Sequence, residues 1–265
     1  MSGPVFAVPR RADGLSGRVV LIVGAHGGLG REAALACADA GAALVLLGRK
    51  VPRLNRLYDE LAARGATSVL YPLDLEGASA DDYAELAARI ESSIGRLDGV
   101  LHCAAQFTAL TPLEHTDPAA FARAIHVNLT ARWWLTQACL PLLRQAADSA
   151  VVFAIDAPSR TARAYWGGYG IAQAGLASLV TMLHAELAAT PVRVSGLCPP
   201  PMRTPLRARA HVEEDETLAR DPADSARDCV TLLAAEGAVH RGQLWAPAVA
   251  SPSPDGAAVP AGARA

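Results

Sequence analysis

The chain has 265 residues, of which 24 are basic and 26 acidic, so its formal net charge is −2. This length suits one ordinary globular domain with enough chain to bury a core. Without an overall positive charge, nucleic acid is not expected as the main partner. The most apolar runs, residues 19–23 and 42–47, fall far short of the roughly 20 residues that a bilayer helix needs, so no membrane span is predicted.

Seven short apolar runs predict strands, at residues 19–23, 43–47, 68–71, 99–102, 150–155, 192–197 and 243–246. Alanine-rich segments between them predict helices, near residues 29–40, 53–63, 80–94, 118–145, 167–189 and 222–235. This alternation predicts right-handed crossovers and a single doubly wound α/β domain with a parallel seven-stranded sheet. Ligands of such sheets bind at the carboxyl ends of the strands.

The ends of the chain and the cysteines are less informative. Residues 1–14 and 248–265 lack periodicity and are expected to be loosely held around a folded domain at residues 15–247. The N-terminal segment has no apolar signal core, so export is not expected. The five cysteines are widely spaced without a C-x-x-C motif, which favours reduced thiols, no metal site and a cytoplasmic protein. Disulfides or metal binding are the minor alternative.

The first strand leads into a glycine-rich turn, G-A-H-G-G-L-G over residues 24–30. Gly24 permits a tight turn, Gly28 lets the backbone approach a diphosphate, and Gly30 lets the following helix lie close to the strand. Between a strand and a helix, this pattern predicts a Rossmann-type dinucleotide site, and the alternative is a turn without a ligand. The other candidate cofactor contacts in the turn are His26 and Leu29.

The G-x-x-x-G-x-G spacing, together with Tyr169 and Asn128, resembles the short-chain dehydrogenase/reductase family over residues 15–247. Within that family, the Trp-Gly-Gly-Tyr stretch ending at Tyr169 resembles bacterial oxidoreductases. The resemblance implies hydride transfer between a nicotinamide cofactor and a small-molecule carbonyl or alcohol substrate. It also implies a homodimer or homotetramer built on the two long helices predicted at 118–145 and 167–189.

The tip of the second strand reads Leu47-Gly48-Arg49-Lys50 and carries no carboxylate. A carboxylate there would bind the ribose 2′-hydroxyl of NAD, whereas Gly48 and Arg49 leave room and positive charge for the 2′-phosphate of NADP. NADP(H) is therefore expected in preference to NAD(H). The alternative is a solvated basic pair at the start of a helix.

Further positions match the family's cofactor contacts. Asp74 matches an aspartate that contacts the adenine amine, although it could instead cap the next segment. The family's Asn-Asn-Ala-Gly after the fourth strand is here His-Cys-Ala-Ala, which leaves backbone contact to the ribose. Pro199 and Thr204 match a segment that contacts the nicotinamide amide, but Pro200 replaces a glycine and removes an N–H. The other implied contacts are Leu75, Ala104, Tyr169 and Gln173.

Four catalytic residues are implied by the resemblance, and two of them are altered. Tyr169 would donate or accept the proton, and Asn128 would hold a water in the proton relay. Asn128 could instead be a helix-interior residue bonded to backbone. The lysine expected one helical turn after Tyr169 is Gln173, and the serine expected after the fifth strand is Asp156, with Ser159 as the alternative register.

Both changes act against proton transfer by Tyr169. A lysine ammonium would favour the phenolate, whereas glutamine supplies no charge. An ionised Asp156 would raise the tyrosine pKa and repel a substrate oxyanion, unless burial keeps it protonated. The only lysine is Lys50, so 23 of the 24 basic residues are arginine, and drift that preserved charge at position 173 would have given arginine.

Three functions therefore stay open. The first is a divergent NADP(H)-dependent oxidoreductase with weak or altered activity. The second is a catalytically silent nucleotide-binding or scaffold protein, and the third is non-redox catalysis with Asp156 as the base. Residues 203–216, where the family places a substrate-covering lid, begin with arginines that could attract an anion, but acidic residues at 213–216 favour a solvated helix.

Overall fold

The computed structural model describes residues 14–211 and 219–247. The seven described strands are Val19–Val23 (β1), Ala43–Gly48 (β2), Ser68–Pro72 (β3), Gly99–His102 (β4), Ser149–Ala154 (β5), Val192–Leu197 (β6) and Leu244–Trp245 (β7). The α-helices are Gly28–Asp39 (α1), Val51–Ala63 (α2), Ala80–Ile94 (α3), Pro118–Ile125 (α4), Ala131–Leu143 (α5), Pro158–Thr161 (α6), Gly167–Glu186 (α7), Pro205–Ala210 (α8) and Pro222–Leu233 (α9). The loosely held ends predicted from the sequence lie outside the described residues, apart from Gly14.

The strands form one parallel sheet in the order β3-β2-β1-β4-β5-β6-β7. This confirms the predicted doubly wound α/β fold. The chain first builds outward from β1 to β3 and then returns to the other side of β1, so the strand order reverses between β1 and β4. A crevice opens at the carboxyl ends of strands where such a reversal occurs. The topology therefore places the glycine turn after β1 and the segment after β4 side by side.

Burial on both faces of the sheet explains why its strands are continuously apolar. Every residue of β1 is buried, and successive side chains point to opposite faces. Val19, Leu21 and Val23 belong to the layer that packs on α3, α5 and α7. Val20 and Ile22 belong to the opposite layer, which packs on α1, α2 and α9. The two hydrophobic layers hold the strand ends, and hence the crevice, in a fixed arrangement.

The prediction of one long helix at residues 118–145 is wrong. This segment consists of α4 and α5, joined by a π-helical turn at His126–Thr130. The Asn128 side chain donates to the Ala124 carbonyl at 2.8 Å, so it competes for a backbone acceptor of the preceding turn. Other predicted boundaries differ by up to three residues, as at the end of α7, which is Glu186 rather than residue 189.

No helix within residues 14–211 and 219–247 combines the length and apolarity that crossing a membrane requires. Over the same ranges, no cluster of three or more histidine, cysteine or acidic side chains is arranged to hold a metal ion. All five cysteines are unpaired.

Candidate functional site

A cleft of about 340 Å³ lies at the carboxyl ends of the strands. It extends from the tip of β2, past the glycine turn, to the start of α7 and to α8. Most of the residues predicted from the sequence line it together. They are Gly24, His26, Gly28, Leu29, Arg49, Asp74, Leu75, Ala104, Asp156, Tyr169, Gln173, Pro199 and Thr204.

The glycine turn has the geometry that its sequence predicts. Gly24 has a φ of 85°, a left-handed conformation that favours glycine. A Cβ placed on Gly30 would lie 2.2 Å from the Gly24 carbonyl oxygen, so Gly30 permits the close approach of α1 but does not line the cleft. A Cβ on Gly28 would lie 2.8 Å from Cγ2 of Thr204. The turn therefore packs directly against the segment that follows β6.

Part of the space beside Gly48 is filled by a protein side chain, and Gly48 itself lines the cleft together with Arg49. A Cβ on Gly48 would lie 2.2 Å from Nδ1 of His26, so the glycine makes room for the imidazole ring. Burial lowers the pKa of His26, and the charges of Arg53, Lys50 and Arg49 lower it further. Its Nδ1 is buried without a hydrogen-bond partner. A neutral imidazole thus lies beside the positive charges at this strand tip.

Three cationic side chains line the cleft at the tip of β2: Arg49, Lys50 and Arg53. Arg49 is half exposed, and its Nη1 lies 3.6 Å from Asp74 and 3.9 Å from Glu76. The sequence analysis did not identify Arg53, although its position three residues after Lys50 places both on one face of the first turn of α2. The positive charge expected here is present and is larger than Arg49 alone supplies.

Tyr169 lies in the first turn of α7 and is 5% exposed. Gln173 lies one turn later on the same face, and its Oε1 accepts a hydrogen bond from the Asp156 backbone N–H at 2.9 Å. This bond fixes the orientation of the amide. Its Nε2 is buried and has no hydrogen-bond partner. Because Gln173 lines the cleft, this N–H group is available to donate to a bound molecule.

Asp156 has a cationic partner that the sequence analysis missed. Nε of Arg160, one helical turn later, donates to Oδ1 of Asp156 at 2.9 Å. Nη2 of the same arginine donates to the Pro199 carbonyl at 2.9 Å, which ties α6 to the segment after β6. The Asp156 carboxyl group is therefore held by a cation on α6. The alternative hydroxyl, Ser159, does not line the cleft.

Burial is the main cause that raises the pKa of the Tyr169 phenol, and the Asp156 carboxylate raises it further. The guanidinium groups of Arg132 and Arg160 act in the opposite direction. Asp156 thus acts on the Tyr169 pKa in the direction expected from the sequence. The two opposing arginines were not foreseen, and they change the electrostatic balance that the sequence predicted.

Asn128 is fully buried, and its amide is engaged with backbone. Its Oδ1 accepts from the Gln106 N–H at 2.9 Å, while its Nδ2 donates to the Gln106 carbonyl at 2.7 Å and to that of Ala124. It does not line the cleft. This geometry fits the second interpretation of Asn128, a helix-interior amide bonded to backbone. Its effect is to hold the segment after β4 in place.

Arg132 lies in α5, one helical turn after Asn128, and is 1% exposed. It lines the cleft floor, where Nη1 donates to the Ala154 carbonyl at 3.0 Å and Nη2 donates to the Ala104 carbonyl. Its Nε is buried without a partner. Burial lowers the pKa of this guanidinium to about 10, so it still carries its charge at neutral pH. The only signal in the sequence is an arginine within an apolar helix.

Two aromatic rings pack against the ring of Tyr169. The rings of Phe107 and Trp166 lie 5.3 and 5.7 Å from the tyrosine ring, centroid to centroid. Tyr165, just before Trp166, has a φ of 76°, which is unusual for a residue with a side chain. Trp166 follows this turn and is the N-cap residue of α7.

The segment after β6 closes the cleft from above. The Thr204 hydroxyl accepts from the Arg207 N–H at 3.2 Å and caps α8. Nη1 of Arg209 donates to the Phe107 carbonyl at 2.9 Å, which links α8 to the segment after β4. Arg207 and Arg209 line the cleft, whereas Arg203 donates to the Ala219 carbonyl at 2.7 Å. The acidic half of the predicted lid, residues 213–216, lies outside the described residues.

A parallel sheet whose strand order reverses, a glycine turn after β1 and a cleft at the strand ends are typical of nucleotide-binding α/β proteins. Comparison with known proteins gives the particular family. A family model described as short chain dehydrogenase matches residues 18–215. The uncharacterized oxidoreductase YciK of Escherichia coli K12 is 34% identical over 215 residues, which cover 81% of this chain and 85% of that protein. The chain belongs to the short-chain dehydrogenase family and is an oxidoreductase of that type.

Solved structures agree with this assignment. A short chain dehydrogenase from Pseudomonas syringae has a TM-score of 0.83 and 35% identity, covering 91% of this chain and 99% of that one. One from Escherichia coli CFT073, complexed with NADPH, has a TM-score of 0.85 and 32% identity, covering 89% and 98%. One from Shigella flexneri, complexed with NADP, has a TM-score of 0.85 and 31% identity, covering 89% and 99%.

Proposed function

We propose that the protein is an NADP(H)-dependent oxidoreductase that acts on a small-molecule carbonyl or alcohol. The observation that carries this proposal is a single continuous cleft that joins the cations at the tip of β2, the glycine turn and Tyr169. A dinucleotide needs these three features in that order: a site for the 2′-phosphate, a backbone cradle for the diphosphate and a proton donor beside the nicotinamide.

The residues in the cleft fit this cofactor. Gly28 and Leu29 line the cleft at the N-terminus of α1, where backbone N–H groups would bind the diphosphate. Arg49 and Arg53 would bind the 2′-phosphate, because a guanidinium matches a phosphate in charge and geometry. The unpartnered Nε2 of Gln173 would donate to a ribose hydroxyl. The NADP and NADPH bound in two solved relatives support the same choice.

The cofactor, when bound, supplies or accepts the hydride. In the reduction, Tyr169 donates its phenol proton to the carbonyl oxygen, and in the oxidation the phenolate accepts the proton of the alcohol. Trp166 lines the cleft beside Tyr169, where it would exclude water and contact the substrate, and Phe107 packs against its ring. Asn128 acts indirectly, because its amide holds the backbone of Gln106 at the edge of the cleft.

We propose that turnover is slow rather than absent. Asp156 opposes formation of the phenolate and offers no donor to a substrate oxyanion, since its Oδ1 is bonded to Arg160. The catalytically silent nucleotide-binding protein remains the second candidate, and the same carboxylate favours it. A general acid contributes about 10²- to 10⁴-fold, so a poorly tuned Tyr169 would still exceed the uncatalysed rate.

Titration with NADPH and NADH, followed by fluorescence, tests the cofactor assignment. We expect the unmodified protein to bind NADPH more tightly, and Arg53→Ala to weaken NADPH binding about tenfold while leaving NADH unchanged. Arg56→Ala is the matched control, because this arginine lies on the exposed side of the same helix and does not line the cleft. Failure to bind either nucleotide would overturn the redox function.

We also propose a homodimer or homotetramer in the cytoplasm. Large apolar side chains are exposed on the surface of the single chain at Trp133 on α5 and at Ile171 and Met182 on α7. Apolar surface on two neighbouring long helices suits a self-complementary interface. The unpaired cysteines suit a reducing compartment. Light scattering at micromolar concentration is expected to give a dimer or tetramer, and a monomer alone would contradict the assembly.

A further inference from the structure

Tyr169 has lost the cation expected on its own helix, yet it lies among other charged groups. They come from several elements around it. They are Asp156 after β5, Arg160 on α6, Arg132 on α5 and, behind Trp166, the imidazole of His211 after α8. A buried phenol responds strongly to such charges, because the protein interior screens them weakly. The two arginines, Arg132 and Arg160, differ in the groups that they bind, and this difference determines which of them acts on Tyr169.

Arg160 is a poor source of positive charge. Its side chain is one-third exposed, and its Nε is paired with the Asp156 carboxylate at 2.9 Å. The Asp156 carboxylate paired with it acts on Tyr169 in the opposite direction and more strongly. The pair therefore links α6 to the strand ends and supplies no net positive charge to Tyr169.

Arg132 differs from Arg160 in both respects. It is buried, and its two terminal nitrogens donate to carbonyl oxygens, those of Ala154 and Ala104. Among residues 14–211 and 219–247, no carboxylate forms an ion pair with it, so its charge is not neutralised. A buried guanidinium without a counter-ion is costly, and a nearby phenol that can ionise relieves that cost.

The position of Arg132 follows from the fold. Ala104 follows β4 and Ala154 ends β5, so the guanidinium bridges the carboxyl ends of two adjacent strands. Tyr169 and Gln173 line the same cleft from α7, and Gln173 bonds to the Asp156 N–H, two residues after the Ala154 carbonyl that accepts from Arg132. The unpartnered Nε of Arg132 leaves one donor of this buried cation unused.

We propose that Arg132 is the positioning residue that supplies the positive charge for Tyr169, from α5 rather than from α7. The charge that is missing at Gln173 has thus been moved to a different helix and not lost. This inference rests on the proposed function in one respect, that Tyr169 is the proton donor. The competing explanation is purely structural: Arg132 ties β4 to β5 and has no effect on Tyr169.

The ionisation of Tyr169 can be measured without cofactor or substrate. Replacement of Tyr169 by 2,3,5-trifluorotyrosine lowers the intrinsic phenol pKa and introduces fluorine at this single position. The ¹⁹F resonance then reports the phenol–phenolate equilibrium during a pH titration of the full chain. The other four tyrosines carry no fluorine and do not contribute.

We expect Arg132→Met to raise the ¹⁹F titration midpoint by about one to three pH units, the range for loss of a neighbouring opposite charge. Arg132→Lys retains the cation and should keep the midpoint close to that of the unmodified protein. In the Arg132→Met background, Gln173→Lys should return the midpoint toward the original value, because it restores a cation on α7. Should Arg132→Met not fold, Arg132→Gln takes its place, since its amide can donate to one of the two carbonyls.

Arg144→Met is the control for loss of an arginine at the end of the same helix, because this side chain is exposed and distant from the cleft. It should leave the midpoint unchanged. If a folded variant with a neutral residue at position 132 has an unchanged midpoint, the proposal is overturned. Arg132 would then only tie β4 to β5. A shift that Gln173→Lys fails to reverse also counts against it, because the effect would then not be one of charge. The NADPH titration tests the proposed function separately. The proposed function and the proposed role of Arg132 can therefore fail independently of each other.

Discussion

The two halves of the cleft, one around β1 to β3 and the other around β4 to β6, differ in whether backbone conformation or particular side chains determine their geometry. In the half around β1 to β3 the glycine turn depends on backbone geometry, and Gly24 and Gly30 have the conformation and close approach that their spacing predicts. The half around β4 to β6 depends on particular side chains, and two of these are replaced. Gln173 and Asp156 are nevertheless held in a defined network with the backbone and Arg160.

The difference arises because the glycine turn has a steric requirement, the absence of a side chain, whereas Tyr169 has an electrostatic requirement, a nearby positive charge. A glycine cannot be replaced at a position where a Cβ would meet backbone at 2.2 Å, whatever else changes nearby. A positive charge acts across space, so another element can supply it. The glycine turn therefore needs particular residues, whereas the charge around Tyr169 can be supplied by different ones.

The largest effect is expected at Tyr169. Tyr169→Phe removes the proton donor and should lower the NADPH-dependent reduction of activated diketones by about 10²- to 10⁴-fold. NADPH affinity should change little, because the cradle for the diphosphate lies on the other side of the cleft. Steady-state kinetics and a fluorescence titration separate the two. Tyr165→Phe, at an exposed neighbour, is the control, and equal turnover in both variants would exclude Tyr169 as the donor.

Gly30→Ala tests the half around β1 to β3. The added methyl would overlap the Gly24 carbonyl, so the turn must open, at a cost of about 1–3 kcal/mol in the free energy of unfolding. NADPH binding should weaken in parallel, because the same turn forms the cradle. Gly77→Ala is the matched control, since a methyl added there would meet no atom within 4 Å beyond its chain neighbours. Normal nucleotide binding by Gly30→Ala would show that the turn tolerates displacement.

A rebuilt half around β4 to β6 should gain activity, mainly from one of its two changes. Asp156→Ser removes the charge that opposes the phenolate and frees Arg160, and we expect turnover to rise about tenfold, the effect of one pKa unit on Tyr169. Gln173→Lys alone should add less, because Arg132 already supplies a cation and because the Asp156 N–H loses its acceptor. Kinetics of both single variants and of the double variant over a pH series measure this. A larger gain from Gln173→Lys would mean that Arg132 does not act on Tyr169.

Much of the fold was predictable because burial on both faces leaves a direct mark on the sequence. The limits of β1 and β6 agree with the predicted ones, since their apolar runs end where the sheet ends. The π-helical turn at Asn128 was not predictable, because it depends on a side chain competing for a backbone carbonyl. In the site, the missing lysine was visible from spacing. The compensating role proposed for Arg132 was not, because it requires knowing which residues of α5 face the strand ends.

The smallest effect concerns a second buried tyrosine, which sharpens the contrast with Tyr169. Tyr83 on α3 lies in the hydrophobic layer, its hydroxyl has no hydrogen-bond partner, and burial raises its pKa to about 12. The charges that act on it besides burial are the carboxylates of Asp82 and Asp74, which raise the pKa further. Tyr83→Phe should therefore change the free energy of unfolding at neutral pH by less than about 1 kcal/mol, since no made hydrogen bond is lost.

The effect of Tyr83 should appear only in alkali, and its sign follows from the raised pKa. Below the unfolded value of about 10, the phenol is protonated in both states and contributes no pH dependence. Between about 10 and 12 the unfolded chain ionises Tyr83 while the folded chain cannot, so the folded state loses stability as the pH rises. Tyr83→Phe removes this loss, and its denaturant midpoint relative to the unmodified protein should rise steadily over that interval. Parallel curves for the two proteins would mean that the Tyr83 phenol ionises as easily in the folded chain as in the unfolded one, despite its burial.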